Sequence, residues 1–465
     1  ACGLAKARDL KGGHENIIAV IGDGSLSGGE AYEGLSNAGE MGTNLIIVVN
    51  DNEMSIAENH GGLYQNLKEL RDTEGRSSCN FFRSLGLDYL YVGEGNDIPS
   101  LVAAFAKVKD TSRPTVVHIH TQKGKGYAPA EADREEFHWE MPFDLETGKP
   151  KVDCSGMEDY HSLTGKFLLE KMKEDHTVVA ISSGTPTVIG FTPERRKQAG
   201  RQFVDVGIAE EHAVALASGI AAGGGRPVYG VYSTFVQRCY DQLSQDLCIN
   251  GNPAVITVFM GTVAGMNDVT HLGFFDIPLI SNIPNMVYLA PTCSEEYFAM
   301  LEWAVRQTEY PVAIRVPGAA VVHRKEEFDT DYSELNRYKM TARGETVAIL
   351  ALGSFYDLGQ ALKNKLREES GVEATLINPR YITGLDEPML EELKVGHRIV
   401  VTLEDGVLDG GFGEKIARYY GNSEMRVLNY GLRKEFADRY NLDELMKTNR
   451  LTDKQMAEDI AGILE

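Results

Sequence analysis

The sequence predicts an α/β protein built as three consecutive α/β domains with mainly parallel sheets. Short apolar runs of strand length alternate with stretches of helical composition, as at residues 16–21 (NIIAVI) and 44–49 (NLIIVV). These runs are unbroken rather than alternately apolar and polar, which is typical of parallel strands covered on both sheet faces. The 465 residues also exceed what one core usually holds and suggest about three domains.

The first domain is predicted over residues 1–150, including a linker. A helical stretch at 30–41 separates the two apolar runs, and a third strand is expected at 115–120 (TVVHIH). The polar, turn-rich residues 143–151 indicate the linker. The opening residues ACGLAKARDLKGG resemble the middle of a helix, so we expect that a preceding segment, the front of this domain, is missing.

The second domain is predicted over residues 155–322 and the third over 333–465, with the charged residues 323–331 (HRKEEFDTD) as a linker. In the second domain we expect helices at 162–173 and 211–221 and strands at 177–182, 204–206, 227–232 and 254–259. In the third domain we expect strands at 346–352, 374–377, 398–403 and 425–429.

Charge and composition exclude several classes of partner. The 46 basic and 68 acidic residues give a formal net charge of −22. This acidic balance argues against binding of nucleic acid or of an anionic membrane surface. The chain has no apolar run of the roughly 18 residues that a membrane span needs. The six cysteines are scattered without a CxxC pair, which favours reduced thiols in the cytoplasm over disulfides or a zinc site.

Polar residues follow the first two predicted strands at the points where the strands end. Gly22-Asp23-Gly24-Ser25 follows the first run, and Asn50-Asp51-Asn52 follows the second. In open parallel sheets, ligands bind just outside these strand ends. The carboxylate of Asp23, the amide carbonyl of Asn52 and the backbone carbonyl of Met54 are hard oxygen ligands suited to Mg²⁺.

The glycines of the first motif suit a ligand that carries phosphate. Gly22 and Gly24 allow the backbone to approach phosphate oxygens, and Ser25 leads into a helix whose N-terminus faces them. Taken alone, GDG is an ordinary strand-to-helix turn, but together with the second motif it favours a diphosphate and its metal ion. A Rossmann dinucleotide site fits less well, because GDGSLS lacks the third glycine of GxGxxG.

The two motifs together resemble the thiamine-diphosphate motif of the transketolase-like enzymes. Segments along the chain resemble the 1-deoxy-D-xylulose-5-phosphate (DXP) synthase family in that family's order: GDGSLSGGEAYEGLSNAG, NDNEMSIAEN, KGKGYAPAE, GIAEEHAVA, YSTFVQRCYDQ, THLGFFDI and IPNMVYLAP. The resemblance implies a homodimer with diphosphate-binding, pyrimidine-binding and C-terminal domains that uses thiamine diphosphate and Mg²⁺. It also implies that pyruvate is condensed with glyceraldehyde 3-phosphate with loss of carbon dioxide, which supplies isoprenoid, thiamine and pyridoxal precursors.

The resemblance assigns catalytic roles to three residues. Glu210 in GIAEEHA matches the carboxyl group that hydrogen-bonds the pyrimidine ring of the cofactor and promotes its loss of a proton. This role needs a dry pocket that raises the pKa of the carboxyl group. The alternative for Glu210 and Glu211 is a favourable charge at a helix N-terminus. His138 and His271 match active-site histidines of the family, although a single histidine is more often structural.

Other residues match cofactor and substrate contacts of the family. Phe235 would stack on the pyrimidine, Ile56 would support the bent cofactor and Tyr127 would contact it; for Phe235 and Ile56 the alternative is a core position. The residues that resemble substrate contacts are Tyr232, Arg238, Asn267 and Lys123. A surface ion pair is the alternative for Arg238, and a solvated loop charge is the alternative for Lys123 and Lys125.

Two positions depart from the family pattern that binds the phosphate of the acceptor. Met260 stands where an arginine is expected, and Val316-Pro317-Gly318 has no arginine after its proline. A charge-assisted hydrogen bond contributes about 1.5–3 kcal/mol, so a phosphorylated acceptor would bind weakly unless Arg238, Arg315 or Lys123 substitutes. Three alternatives therefore stay open: a different or unphosphorylated acceptor, a transketolase reaction, and cofactor binding without turnover.

Overall fold

The computed structural model describes residues 1–152, 156–316, 318 and 320–464. It confirms the α/β class, with a four-stranded, a six-stranded and a five-stranded sheet. The chain divides into two compact units. The first comprises residues 1–157, 183–186 and 205–209, and the second comprises 158–182, 187–204 and 210–465. The predicted start of the second domain at residue 155 lies outside the described residues, and the domain limits stay a prediction.

The first unit contains one parallel sheet with the strand order β1-β2-β4-β3. Its strands are β1 (Ile18–Gly22), β2 (Ile46–Asp51), β3 (Asp88–Val92) and β4 (Thr115–His120). Its helices are Cys2–Leu10, Gly29–Glu40, Gly62–Asp72, Phe81–Ser84, Ile98–Val108 and Ala128–Ala132. Gly22 pairs with Asn50 across β1 and β2, so the two polar motifs leave the sheet side by side.

β2 and β4 are covered on both sheet faces, as predicted, whereas two residues of β1 are exposed on one face. Ile18 and Val20 are 53% and 72% exposed. On the same face, the helix Ile98–Val108 packs on the neighbouring strands and buries Ile46 and Val48. As the edge strand, β1 lies beyond the part of the face that this helix covers.

The second unit holds the other two sheets, and its six-stranded sheet has the strand order β6-β5-β7-β8-β10-β9. These strands are β5 (Val178–Ser182), β6 (Phe203–Asp205), β7 (Arg226–Tyr232), β8 (Val255–Phe259), β9 (Val287–Leu289) and β10 (Val312–Arg315). The helices around them are Tyr160–Glu174, Pro193–Ala199, Glu210–Ala222, Tyr240–Gln242 (continued by the π-helix Leu243–Cys248), Asp276–Ser281 and Ser294–Arg306.

The five-stranded sheet has the strand order β11-β13-β12-β14-β15, and only its edge strand β11 is antiparallel to its neighbour. The strands are β11 (Lys339–Ala342), β12 (Thr346–Ala351), β13 (Thr375–Asn378), β14 (His397–Val407) and β15 (Arg426–Leu432). The helices are Tyr356–Ser370, Glu387–Gly396, Phe412–Tyr420, Leu442–Thr448 and Asp453–Leu464.

The described residues contain no candidate membrane span and no disulfide bond. No helix among them is long and apolar enough to cross a membrane. The five cysteines in the described part of the chain are free thiols, namely Cys2, Cys79, Cys239, Cys248 and Cys293. Cys154 lies outside the described residues.

Candidate functional site

A candidate site in the first unit is built around Asp23, directly after β1. Its backbone amide donates to the carbonyl of Asn50 at 3.1 Å, which fixes it beside the end of β2. Its side chain is 1% exposed, and its Oδ2 accepts a 2.7 Å hydrogen bond from Asn59 Nδ2. Asp23 Oδ1 and Asn59 Oδ1 are buried and have no hydrogen-bond partner among the described residues. Buried acceptors without donors are costly, and a cation bound at Asp23 Oδ1 would satisfy that oxygen.

The electrostatics of Asp23 also suit a cation. Burial, together with the nearby charge of Asp51, raises the pKa of Asp23 to about 6. The hydrogen bond from Asn59 offsets part of this rise. A bound metal ion would favour the charged carboxylate that burial and Asp51 disfavour.

Asn52 and Met54 lie in the turn that follows β2. Asn52 Oδ1 accepts the backbone amide of Met54 at 3.2 Å, which closes a local turn. In the described part of the chain, no group of three or more His, Cys, Asp or Glu side chains forms a metal cluster. An ion at Asp23 would therefore depend on one carboxylate, on amide and carbonyl oxygens and on oxygens of its ligand, as Mg²⁺ sites with phosphates do.

Asp51, the central residue of the second motif, is held by other groups. Its Oδ2 contacts His118 Nε2 at 2.9 Å and also pairs with Arg71. Burial raises the pKa of Asp51, but the hydrogen bond from His118 and the charge of Arg71 outweigh burial and leave the pKa lowered. Asp51 is thus a charged carboxylate whose oxygens already have partners, whereas Asp23 keeps an oxygen without one.

The backbone around the first motif leaves room for a ligand. A Cβ atom on Gly24 would lie 2.8 Å from Ser55 Cβ, so only glycine fits there, whereas a Cβ on Gly22 would meet nothing within 4 Å. Ser25 is exposed. Ile56 is half-buried and belongs to none of the described hydrophobic clusters, so it is not the ordinary core residue that we considered as the alternative.

The loop after β4 packs against the turn after β2. Lys123 Nζ donates to the carbonyl of Ser55 at 2.6 Å and lies 3.2 Å from His138 Nδ1. Lys123 is therefore not a freely solvated loop charge, whereas Lys125 is exposed. The hydroxyl group of Tyr127, a predicted cofactor contact, donates to the carbonyl of Leu145 at 3.1 Å.

The second unit holds a candidate site of its own, which centres on Glu210. This residue begins the helix Glu210–Ala222 and is 2% exposed. Burial raises the pKa of its carboxyl group, and the charge of Arg238, whose Nη1 lies 2.8 Å from Glu210 Oε2, opposes the rise. The side chain of Glu211 is 31% exposed. Glu210 is the more deeply buried of the two glutamates, as the predicted role needs.

Three rings lie close together near the end of β7, namely those of Tyr232, Phe235 and His271. The ring centroids of Tyr232 and Phe235 are 5.9 Å apart, and those of Phe235 and His271 are 5.5 Å apart. Phe235 is half-buried, so part of its ring is open to a ligand. His271 Nδ1 contacts Asp268 Oδ1 at 3.0 Å, and hydrogen bonds from Thr270 and His271 lower the pKa of Asp268 to about 2.

Asn267, a predicted substrate contact, joins two loops of the second unit. Its Nδ2 donates to the carbonyl of Tyr440 at 3.1 Å, and its own carbonyl accepts the amide of Arg439 at 2.6 Å. One of its two side-chain N–H donors is therefore already used within the chain. Sequence reasoning also missed Asn59, because its importance rests on a contact with Asp23, 36 positions away.

The two positions that depart from the family pattern are neighbours in space. A Cβ atom on Gly318 would lie 2.9 Å from Met260 Sδ and 2.8 Å from Thr262 Cγ2. Met260 has a left-handed backbone with φ of 56°. Pro317 lies outside the described residues. Met260 is apolar and Gly318 has no side chain, so neither residue supplies a side-chain donor for phosphate.

Arg315, one suggested replacement for the missing arginines, is bound elsewhere. It is 4% exposed, its Nε donates to Asp276 Oδ2 at 2.7 Å, and its Nη2 donates to the carbonyl of Asp405 at 2.6 Å. Nε and Nη2 of Arg315 are therefore already bonded within the second unit, and a role of Arg315 toward the acceptor's phosphate stays a prediction.

Replacing Arg315 should destabilise the second unit. Arg315→Met leaves the carboxylate of Asp276 buried and unpaired, and breaking such a buried pair costs about 3–5 kcal/mol of unfolding free energy. Denaturant unfolding measures this change. Arg343→Met, which removes an exposed pair with Glu392, is the control and should change stability little. A fall for Arg315→Met no larger than for the control would contradict the structural role.

Comparisons with known proteins agree with this architecture. The family model described as 1-deoxy-D-xylulose-5-phosphate synthase matches residues 1–80. The transketolase pyrimidine-binding domain matches residues 158–321, and the transketolase C-terminal domain matches residues 337–456.

Curated relatives extend the similarity over the whole chain. A 1-deoxy-D-xylulose-5-phosphate synthase of Clostridium tetani is 34% identical over 503 residues, covering 100% of this chain and 80% of the relative. One of Clostridium beijerinckii is 35% identical, covering 97% of this chain and 78% of the relative.

Solved structures show the same fold. A split gene transketolase, an inactive beta4 tetramer, has a TM-score of 0.55 at 21% identity and covers 65% of this chain and 96% of its own. A transketolase from Pichia stipitis in complex with sedoheptulose-7-phosphate also has a TM-score of 0.55, at 15% identity, and covers 96% of this chain and 76% of its own.

Proposed function

The chain belongs to the 1-deoxy-D-xylulose-5-phosphate synthase family, and on this premise we propose that it condenses pyruvate with glyceraldehyde 3-phosphate, with loss of carbon dioxide, to give DXP. The enzyme is a transferase of the transketolase class that depends on thiamine diphosphate. The observation that carries the proposal is the placement of Glu210, which is 2% exposed at a helix start with a raised pKa.

The residues around Asp23 would hold Mg²⁺ and the diphosphate. Asp23 Oδ1, the side chain of Asn52 and the backbone carbonyl of Met54 would bind the ion, and Asn59 Oδ1 adds an unpaired oxygen nearby. Gly22, Gly24 and Ser25 would line the phosphates. Ile56 and Tyr127 would support the rest of the cofactor from the same unit. When bound, thiamine diphosphate supplies the electron sink for the carbanion that decarboxylation of pyruvate leaves.

The second unit would hold the pyrimidine ring and the substrates. Phe235 would stack on the pyrimidine, and protonated Glu210 would donate a hydrogen bond to a ring nitrogen. Arg238 forms an ion pair with Glu210. To contact substrate, Arg238 would have to leave this ion pair or to bind Glu210 and substrate at the same time. In this unit, His271 and Tyr232 would orient substrate oxygens. His138 of the first unit would do the same, whereas Lys123, a predicted substrate contact, uses its donors on Ser55, Ile56 and His138.

Product analysis tests the proposal. The intact natural protein, with thiamine diphosphate and Mg²⁺, is incubated with pyruvate and glyceraldehyde 3-phosphate, and DXP is identified by mass spectrometry. We expect DXP to form. If no product forms from pyruvate but ketol transfer from xylulose 5-phosphate is observed, the enzyme is a transketolase and the proposal is wrong. Binding of the cofactor without either reaction would indicate a protein without turnover.

A second candidate function is carboligation with an unphosphorylated or otherwise different aldehyde. The specific observation that favours it is the apolar contact between Met260 and Gly318, where two phosphate-binding arginines are expected. Because an arginine contact with phosphate contributes about 1.5–3 kcal/mol, Met260→Arg should raise kcat/KM for glyceraldehyde 3-phosphate by about tenfold or more relative to glyceraldehyde.

Steady-state kinetics with both aldehydes measures this ratio. Glu211→Gln serves as a control that adds no cation near Met260, and its ratio should match that of the wild type. A wild-type enzyme that already prefers the phosphate strongly, with no gain from Met260→Arg, would contradict the altered-acceptor candidate.

We further propose a cytoplasmic homodimer that serves isoprenoid and thiamine biosynthesis. The free thiols in the described part of the chain support a reducing compartment. Family membership supports the dimer and the pathways, and sedimentation of the intact protein measures the oligomeric state.

A further inference from the structure

The ammonium group of Lys123 contacts three acceptor atoms. Its Nζ donates to the carbonyl oxygens of Ser55 at 2.6 Å and Ile56 at 3.5 Å. Its third neighbour is His138 Nδ1 at 3.2 Å. A lysine ammonium has three donors and no acceptor. The Nδ1 atom of His138 must therefore be the acceptor in this contact, and the proton of a neutral ring must sit on Nε2.

We propose that Lys123 is a positioning residue that holds His138 as a neutral imidazole protonated on Nε2. The inference rests on the proposed function and assigns His138 the task of donating a hydrogen bond to a substrate or cofactor oxygen. It argues against a general acid–base role for His138, because protonation of Nδ1 would remove the acceptor that Lys123 needs.

The charges around the pair agree with this arrangement. Partial burial lowers the pKa of His138, and the charge of Lys123 lowers it further. Burial also lowers the pKa of Lys123, while the charges of Asp23 and Glu135 raise it and that of Arg134 lowers it. A cation beside a neutral imidazole is the stable combination here, since two adjacent positive charges would repel each other.

The backbone keeps both partners in place. A Cβ atom on Gly124, which follows Lys123, would lie 2.7 Å from the backbone of Ala130, and its φ is 78°, so the loop requires glycine there. Phe137, which precedes His138, packs edge-to-face on Tyr127 with ring centroids 5.7 Å apart. His138 itself is exposed, and Nε2 has no hydrogen-bond partner in the described part of the chain. Its N–H group is thus free to meet a ligand.

The tautomer can be measured without substrate or cofactor. Protein labelled with ¹⁵N-histidine gives long-range ¹H–¹⁵N spectra, and the signal lost in His138→Gln identifies His138. We expect the Nε2–H tautomer in the wild type and in Lys125→Met, which changes the exposed lysine of the same loop. Lys123→Met should give a mixture of tautomers and a higher pKa for His138. An Nδ1–H tautomer in the wild type, or an unchanged spectrum in Lys123→Met, would overturn the proposal.

Kinetics of the holoenzyme give a second readout. Lys123→Met should lower kcat for DXP formation by about tenfold or more and add a loss of activity at acidic pH, where His138 becomes charged. Lys123→Arg keeps a cationic donor and should restore the wild-type tautomer and most of the pH profile. If the arginine variant shows the tautomer mixture of Lys123→Met, the positioning role is wrong. An inactive wild type with the expected tautomer would instead contradict the proposed function alone.

Discussion

Glu210→Gln is expected to lower kcat for DXP formation by about 10³-fold, within the 10²–10⁴ range that a positioned acid or base contributes. Glutamine has nearly the same shape, but it cannot exchange a proton with the pyrimidine ring. Because Glu210 is buried and its pKa is raised, the substitution removes a buried ionisable group and should not lower the melting temperature. Turnover assays and thermal unfolding measure the two effects.

The matched control is Glu211→Gln, at the next position of the same helix. The side chain of Glu211 is 31% exposed and its Oε1 lies 3.7 Å from Arg238 Nη2, so it shares the neighbour but not the dry environment. We expect its kcat to stay within a few-fold of wild type. Equal losses in both variants would mean that charge near Arg238, rather than proton transfer at Glu210, supports catalysis.

Asp23→Asn is expected to weaken Mg²⁺-dependent binding of thiamine diphosphate by about 100-fold or more. The substitution removes the one carboxylate among the proposed ligands, and Mg²⁺ depends on hard anionic oxygens. Without metal and cofactor the same variant should be as stable as the wild type or more so, because burial and Asp51 penalise the charge of Asp23. Calorimetric titration measures the affinity, and thermal unfolding in EDTA measures the stability.

Asp72→Asn is the control for this prediction. Asp72 is an exposed residue of the helix Gly62–Asp72 and pairs with Lys68 on the surface. Its substitution should leave binding of cofactor unchanged. If Asp23→Asn binds thiamine diphosphate as tightly as Asp72→Asn at the same Mg²⁺ concentration, Asp23 is not a metal ligand.

The fold could be predicted from the sequence where local pattern and burial agree. The buried strand at 115–120 is predicted to the residue, and the expected strand at 254–259 differs from β8 by one residue. The strands that were missed, β3, β9, β10 and β11, are short or lie at sheet edges. Their pairing is decided by distant neighbours rather than by their own composition.

The candidate site could be predicted where a residue sits in a motif next to a strand or helix end, as Asp23 and Glu210 do. Contacts between distant segments could not be predicted. Asn59 on Asp23 and Lys123 on His138 depend on how loops pack, and the sequence contains no periodic signal for either. Arg315 is a further example of a contact between distant segments. The sequence suggested it as a cation for phosphate, but in the fold it donates hydrogen bonds to the carboxylate of Asp276 and to the carbonyl of Asp405.

Release of carbon dioxide from carboxyl-labelled pyruvate tests the central claim most directly. The intact natural protein is supplied with thiamine diphosphate and Mg²⁺, and release is measured with and without glyceraldehyde 3-phosphate. The proposed function predicts release that rises sharply when the aldehyde phosphate is added and that is lost in Glu210→Gln. No release from pyruvate under either condition would contradict it.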